Sequence, residues 1–176
     1  MSDHKVRAGR TFPSITVTAL DGSQHDLAQR NEGRWKMVVV YRGRHCPLCT
    51  KYLNNLEGYV SRLDEIDVDV IAVTADRLEQ VQDQLKKLDV SFPMYHGLTI
   101  EQMKELGLYI SHPRSPQETD HPFPEPGLFV INNEGEVHVV DLSNNPFVRP
   151  ELKALTNGLA WIKDPDNNYP IRGTYP

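Results

Sequence analysis

The feature that most constrains the fold is an apolar strand that leads directly into a cysteine pair at the start of a helix. Residues 37–41 form a continuous, largely β-branched run, which is typical of a strand buried on both faces. A short loop, 42–45, connects it to Cys46-Pro47-Leu48-Cys49. Proline suits the first helical turn, because the amide it lacks would have no partner there. The sequence therefore predicts a strand, a loop and a helix from about Pro47 to Leu63.

The spacing of the two cysteines predicts redox chemistry rather than structural support. A bridge across two intervening residues closes too small a loop to stabilise a fold much through chain entropy. At a helix N-terminus, however, unpaired amides and the helix dipole favour the thiolate, which is the reactive form of cysteine. Apolar residues at helical spacing form one stripe, which consists of Cys49, Leu53, Leu56, Val60 and Leu63.

This stripe gives the two thiols different expected roles. Cys46 lies in or beside the loop, so we expect it to be the accessible, more acidic thiol and the initial nucleophile. Cys49 heads the side that faces the core, where burial raises a thiol's pKa, and we expect it to resolve the intermediate. We also expect the two residues to form a reversible intramolecular disulfide.

Several other residues are candidates for supporting roles. Arg42 and Arg44 precede the pair and could add positive potential, as could His45 if it is protonated. Arg149 is expected to be a surface charge at the start of the last helix, with an active-site contact as the alternative. Haem attachment would need histidine directly after the second cysteine, where Thr50 stands. No second ligand pair has zinc-site spacing, so we expect no metal and no cofactor.

The rest of the chain alternates strand and helix patterns. An extended hairpin around an Asp21-Gly22 turn is predicted within 10–29. Further strands are predicted at 68–73, 128–131 and 137–142, and helices from near 76 to 88, at 99–107 and from 152 to 162. This order predicts one α/β domain with a mixed sheet over residues 1–176, in which 164–176 is a polar tail. The proline-rich segment 108–126 is expected to be an extended surface insertion, with a rim or lid over a site as the alternative.

Composition argues against several classes of function. The chain has 24 acidic and 19 basic residues, for a formal net charge of −5, whereas nucleic-acid and anionic-membrane binders need a basic surplus. No apolar stretch approaches the ~20 residues of a membrane-spanning helix. The N-terminus lacks the apolar core of a secretory signal. We therefore expect a cytoplasmic protein with no nucleic-acid or membrane partner.

With these residues in view, the chain resembles the peroxiredoxin-like branch of the thioredoxin-like superfamily, the alkyl hydroperoxide reductase/thiol-specific antioxidant (redoxin) family. The segments that carry the resemblance are 9–13, 39–49, 70–76, 92–93 and 127–135. The resemblance implies a thioredoxin-like fold, with a central mixed sheet flanked by helices and an N-terminal β-hairpin extension. It also implies a thiol-dependent redox enzyme.

The active-site residues depart from the family pattern. Peroxiredoxins carry Pro-x-x-x-Thr-x-x-Cys, and on this chain the final cysteine is Cys49, the Thr position holds Cys46 and the Pro position holds Arg42. This register implies that Cys49, not Cys46, attacks peroxide. The family's arginine before the late strand is replaced by Pro126, which resembles the cis-proline that faces the cysteine pair in thioredoxins. We therefore expect a cis peptide bond before Pro126 and a position against the pair; one of the arginines named above could supply the missing cation.

Three functions remain open at this stage. The first is a thiol peroxidase, in which a thiolate is oxidised by peroxide and the second cysteine forms a disulfide. The second is a thiol–disulfide oxidoreductase that acts on protein or glutathione disulfides. The third is a non-enzymatic redox sensor or metal carrier. The family resemblance implies one of the first two, with a thiol reductant such as thioredoxin or glutathione, and a homodimer is one assembly that we consider.

Overall fold

The structure, a computed structural model that describes residues 6–176, alternates strands and helices around one main sheet. The strands are β1 (Thr16–Ala19), β2 (Gln24–Asp26), β3 (Trp35–Val40), β4 (Val68–Val73), β5 (Met94–His96), β6 (Ile110–Ser111), β7 (Phe123–Pro124), β8 (Gly127–Ile131) and β9 (Val137–Leu142). The helices are α1 (Pro47–Glu57), α2 (Val60–Glu65), α3 (Leu78–Leu85), α4 (Ile100–Glu105) and α5 (Leu152–Lys163). A short 3-10 helix (Pro165–Asn167) follows α5, and the residues after it are mostly exposed.

The main sheet has seven strands in the order β2-β1-β5-β4-β3-β8-β9. Strands β3, β4 and β5 run parallel, whereas β1 and β8 pair antiparallel with β5 and β3. The β1–β2 hairpin adds two strands to one edge. The predicted mixed sheet with an N-terminal hairpin is therefore confirmed. Strand β5 was not predicted, because three residues are too short to show a period of two.

The central strand β3 separates two apolar cores, one on each face of the sheet. Alternate residues Met37, Val39 and Tyr41 pack with α1 and α5 on one face. Val38 and Val40 pack on the other face, where α4 contributes Met103. All five of these residues on and just after β3 are at most 3% exposed, as predicted for a strand buried on both sides. Strand β3 therefore ends deep in the molecule, and the cysteine motif follows there.

The single helix predicted from Pro47 to Leu63 is wrong, because the chain forms α1 and α2 with a break between them. At the break, the Gly58 N–H donates to the Asn55 carbonyl, which is a tighter turn than the α-helix uses. Glycine is a poor helix former, so the interruption occurs at the weakest position. The apolar stripe remains continuous across the break: its members other than Val60 are fully buried.

Segment 108–126 is not an extended surface insertion throughout, so that expectation is wrong. Its two ends, β6 and β7, pair as a separate antiparallel ribbon. Phe123 and Glu125 are almost completely buried, at 1% and 3% exposure. The alternative of a rim beside a site fits this packing, because the segment contacts the loop that carries the cysteines. None of the helices within residues 6–176 is both long and apolar enough to cross a membrane.

Candidate active site

The cysteine pair lies where β3 ends and α1 begins. Cys46 is the N-cap residue of α1, in an extended backbone conformation with φ −108° and ψ 101°. Its sulfur accepts a hydrogen bond from the backbone N–H of Cys49, at 3.2 Å. Pro47 occupies the first turn, as predicted. The Cys49 amide, in the first turn, is thus shared between the Cys46 sulfur and the Cys46 carbonyl, to which it also donates at 3.1 Å.

Both thiols are buried, which corrects the expectation that Cys46 would be accessible. The exposed fractions are 2% for Cys46 and 0% for Cys49. The physical reason is the cap itself: a sulfur that accepts from the Cys49 amide points back over the first turn of the helix rather than towards solvent. Position in a loop therefore did not translate into exposure.

The two thiols differ strongly in acidity. A hydrogen bond from the Cys49 thiol is the main cause that lowers the pKa of Cys46, to about 6; burial opposes it, and Arg42 and the Cys49 amide assist. Burial raises the pKa of Cys49 far above its ordinary value, and the neighbouring Cys46 sulfur adds to this effect. Arg149 opposes the rise but is outweighed. The directions of the two pKa shifts therefore favour the thiolate on Cys46 and the protonated thiol on Cys49.

Arg149 lies beside both sulfurs. Its Nη2 lies 2.9 Å from the Cys49 sulfur and 3.9 Å from the Cys46 sulfur. The guanidinium is held by a bond from Nε to the Pro146 carbonyl at 3.0 Å and by the Tyr52 ring, 5.2 Å away. The expectation of a surface charge is wrong, because the guanidinium contacts both sulfurs, as the alternative of an active-site contact would require. Local sequence gives little signal for this contact, because it spans 100 residues.

Arg42 approaches the site from the other side. It hydrogen-bonds Cys46, and its Nε forms an ion pair with Glu125 Oε2 at 2.9 Å. Burial opposes its charge, but the contacts with Cys46 and Glu125 outweigh burial and raise the pKa of the guanidinium. The second Glu125 oxygen accepts from the Ser111 hydroxyl at 2.7 Å. Arg42 thus links segment 108–126 to the Cys46 thiol.

Arg44 and His45 do not supply the positive potential that was expected of them. The Arg44 side chain is exposed and points to Asp83, at 3.4 Å. Only its backbone N–H serves the loop, by donating to Asp76 at 2.7 Å. The His45 ring packs on Phe123, with centroids 4.4 Å apart. Burial, followed by the charge of Arg42, lowers the pKa of His45, so the ring is uncharged at neutral pH.

The expected cis bond before Pro126 is wrong: no cis peptide bond occurs in residues 6–176. Its neighbours explain the trans form. The Glu125 N–H donates to the Tyr109 carbonyl, and the Pro126 carbonyl accepts from Ser143. The chain therefore stays extended from β7 into β8, and these two bonds continue the β6–β7 and the β8–β9 pairing. Pro126 is buried and lines a small cavity together with Arg149 and Tyr52.

Sequence reasoning missed three side chains that shape this region: Glu125, Asp76 and His121. Asp76 is 1% exposed and accepts hydrogen bonds from Arg44 N–H and from His121. An acidic residue between prolines, such as Glu125, was a weak signal that the segment has a buried partner. Within the described residues, no group of three or more His, Cys, Asp or Glu side chains could hold a metal ion.

Comparison with protein families matches the AhpC/TSA family model over residues 8–140. The chain belongs to the AhpC/TSA family. Membership makes it an oxidoreductase of the thiol peroxidase type, as the resemblance implied. The matched region includes both cysteines, Arg42 and Glu125, but it ends before Arg149.

Solved peroxiredoxin structures share the fold. A cysteine-to-serine mutant of peroxiredoxin 6 of Arenicola marina aligns with a TM-score of 0.75 and 15% identity, covering 90% of this chain and 74% of that one. AhpC of Mycobacterium tuberculosis aligns with a TM-score of 0.74 and 13% identity, covering 92% and 96%. The mitochondrial 2-Cys peroxiredoxin of Plasmodium falciparum aligns with a TM-score of 0.71 and 12% identity, covering 91% of this chain and 96% of that one. A search of curated protein sequences returned no match.

Proposed function

We propose that the protein reduces peroxides through a Cys46 thiolate and an intramolecular Cys46–Cys49 disulfide. The observation that carries the proposal is the asymmetry of the pair. Cys46 is the helix cap and the acidic thiol, whereas Cys49 remains protonated directly beside it. A two-step oxidation requires an ionised nucleophile and, beside it, a second cysteine that can condense with the sulfenic acid.

The chemistry balances with these two residues, a proton from water and an external thiol reductant. The Cys46 thiolate attacks one peroxide oxygen, the O–O bond breaks, and the other oxygen leaves as an alkoxide or hydroxide, which takes up a proton from water. Cys46 is thereby oxidised to a sulfenic acid and the peroxide is reduced to an alcohol or water. The Cys49 sulfur then displaces the hydroxyl group, which leaves as water with the Cys49 proton, and a disulfide forms. Two thiols of a reductant such as thioredoxin or glutathione restore the pair.

Arg149 is placed to assist the first step. Its guanidinium reaches both sulfurs, so an oxygen bound between them would meet a fixed cation. A pre-positioned donor that stabilises charge as it develops is usually a large contribution to catalysis. Arg149 would thus take the part of the arginine that Pro126 replaces in the family register.

The burial of both sulfurs favours a peroxide over a protein disulfide as the oxidising substrate. With exposures of 2% and 0%, a sulfur of a folded protein cannot approach without displacing the residues above the pair. A small hydroperoxide needs far less opening. The disulfide-exchange alternative is therefore less well supported for the oxidative half of the cycle.

The test is a single-turnover reaction of the reduced protein with stoichiometric hydrogen peroxide and, separately, with an oxidised protein disulfide, with both thiols followed by mass spectrometry. We expect rapid oxidation by peroxide only. Cys46→Ser should abolish it, whereas Cys49→Ser should stop at a sulfenic acid that dimedone traps. Arg149→Met should slow peroxide consumption by about 10²-fold, while the control Arg44→Met should not. Rapid consumption by Cys46→Ser would instead identify Cys49 as the attacking thiol.

A further inference from the structure

His121 meets a hydrogen-bond acceptor at each of its two ring nitrogens. Nδ1 lies 2.7 Å from the Pro122 carbonyl oxygen, and Nε2 lies 2.9 Å from Asp76 Oδ1. The side-chain oxygen of Gln80 is a further acceptor near Nε2, at 3.2 Å, and it also accepts from the Arg77 N–H. A neutral imidazole has one N–H and can satisfy only one of these two sides. The geometry therefore favours the doubly protonated, cationic ring, which can donate on both sides.

Asp76 carries the effect of His121 to the cysteine loop. Its other oxygen accepts from the Arg44 N–H at 2.7 Å, and its carboxylate lies 2.7 Å from where a Cβ on Gly43 would stand. The Gly43 carbonyl in turn accepts from the Cys46 N–H at 3.2 Å. Asp76 is 1% exposed, so its charge depends on these partners rather than on water. A continuous set of hydrogen bonds thus joins His121 to the cap residue.

We propose that His121 is a positioning residue whose imidazolium clamps segment 108–126 onto the Gly43–Cys46 loop, and that loss of its proton releases the loop. This inference rests on the proposed role of Cys46 as the reactive thiolate. In the clamped state Cys46 keeps the cap geometry that stabilises its thiolate. In the released state the first turn of α1 opens, so the sulfur is more accessible and less acidic.

The surrounding charges set the pH range of this switch. The hydrogen bond to Asp76 raises the pKa of His121 above its ordinary value of 6.5; burial opposes the rise, while the Pro122 carbonyl and Asp120 add to it. Asp120 is itself paired with Arg77 at 2.9 Å, which weakens its effect. His45, from the cysteine loop, also interacts with His121, and burial and Arg42 lower the pKa of the His45 ring.

The sign of the pH dependence follows from the raised pKa. A group whose pKa is higher in the folded state stabilises the fold fully below its unfolded pKa, and this contribution is lost as pH rises through the folded value. The clamp is therefore intact on the acid side and weakens from above pH 6.5 towards alkaline pH. Cys46 should then become easier to alkylate, because the gain in accessibility of its sulfur outweighs the loss of acidity as the pH rises.

The experiment uses the reduced full-length chain and does not depend on peroxidase activity. The ring protons of His121 are titrated by NMR, and the alkylation rate of Cys46 by iodoacetamide is measured across the same pH range. We expect His121 to titrate above pH 6.5 and the alkylation rate to rise a second time at that same pH. In His121→Asn the second rise should be absent, and the thiolate midpoint of Cys46 should move upwards by about one pH unit. His112→Asn, at an exposed position in the same segment, should behave as the wild type.

Hydrogen exchange of the Arg44 amide, which Asp76 binds, provides a second measurement that needs no variant. Its protection, corrected for the intrinsic rate, should fall through the His121 titration. A His121 ring that titrates at or below 6.5, an Arg44 amide insensitive to that titration, or a second rise that persists in His121→Asn would overturn the clamp. If peroxide does not oxidise Cys46 but the second rise and the exchange change are present, the clamp stands and the proposed peroxidase mechanism fails.

Discussion

The acidity of Cys46 depends on a hydrogen bond from the Cys49 thiol, and this dependence can be tested by two substitutions at one position. Cys49→Ala removes the donor, whereas Cys49→Ser keeps a hydroxyl that can still donate. The thiol hydrogen bond is the largest cause of the low pKa of Cys46, about 6, so the two variants should differ mainly in that pKa.

The size of the effect follows from the strength of a hydrogen bond to a charged group, about 1.5–3 kcal/mol. At about 1.36 kcal/mol per pKa unit, Cys49→Ala should raise the pKa of Cys46 by about 1–2 units, to about 7–8. At pH 7 the thiolate fraction then falls from about 90% to between about 50% and about 10%, and alkylation slows roughly two- to tenfold. In Cys49→Ser the midpoint should stay within about half a unit of the wild type.

The assay is the pH profile of iodoacetamide alkylation, checked by the ultraviolet absorbance of the thiolate. Cys46→Ser serves as the complementary variant, because its remaining Cys49 should stay unreactive until strongly alkaline pH. The reasoning is refuted if Cys49→Ala leaves the midpoint of Cys46 unchanged, or if Cys49 alone ionises below Cys46 alone. Either result would mean that the cation Arg149, rather than the cap and its donor, decides which sulfur is charged.

Two further predictions concern the loop before the pair. Arg42→Met should raise the pKa of Cys46 by about 1–2 units, since it removes a hydrogen bond and a charge. Arg42→Lys keeps the charge, so the pKa of Cys46 should rise less when it is measured by the same alkylation profile. Gly43→Ala should destabilise the fold by more than the about 1–3 kcal/mol of a strained backbone, because φ is 144° and the new Cβ would lie 2.7 Å from the Asp76 carboxylate. Gly22→Ala, at positive φ but in open space, should lower the free energy of unfolding only by the backbone strain. Both variants are measured by urea unfolding, and equal losses of stability for the two glycines would contradict this account.

The strands and helices that the sequence predicted well are those whose residues are fixed by local pattern. The β-branched run 68–73 coincides with β4, because no polar residue except Asp69 interrupts it. The start of α1 at Pro47 was equally clear, because proline and the cap position leave little choice. By contrast, β5 and the break at Gly58 were missed, since a three-residue strand has no readable period and a single glycine is compatible with a continuous helix.

The sequence alone determined that two thiols three residues apart lie at the start of a helix, and this placement is the basis on which redox chemistry is predicted for them. This followed from local chemistry, because the cap, the proline and the apolar stripe all lie within a few residues of the cysteines. The tertiary structure alone decided which side chains surround the sulfurs. Arg149 reaches them from 100 residues away, Glu125 reaches the cysteine loop from segment 108–126, and His121 of that segment binds Asp76, which in turn binds the loop. Such contacts arise from the crossing of distant elements and from the burial of charges that then need partners, and neither leaves a periodic trace in the chain.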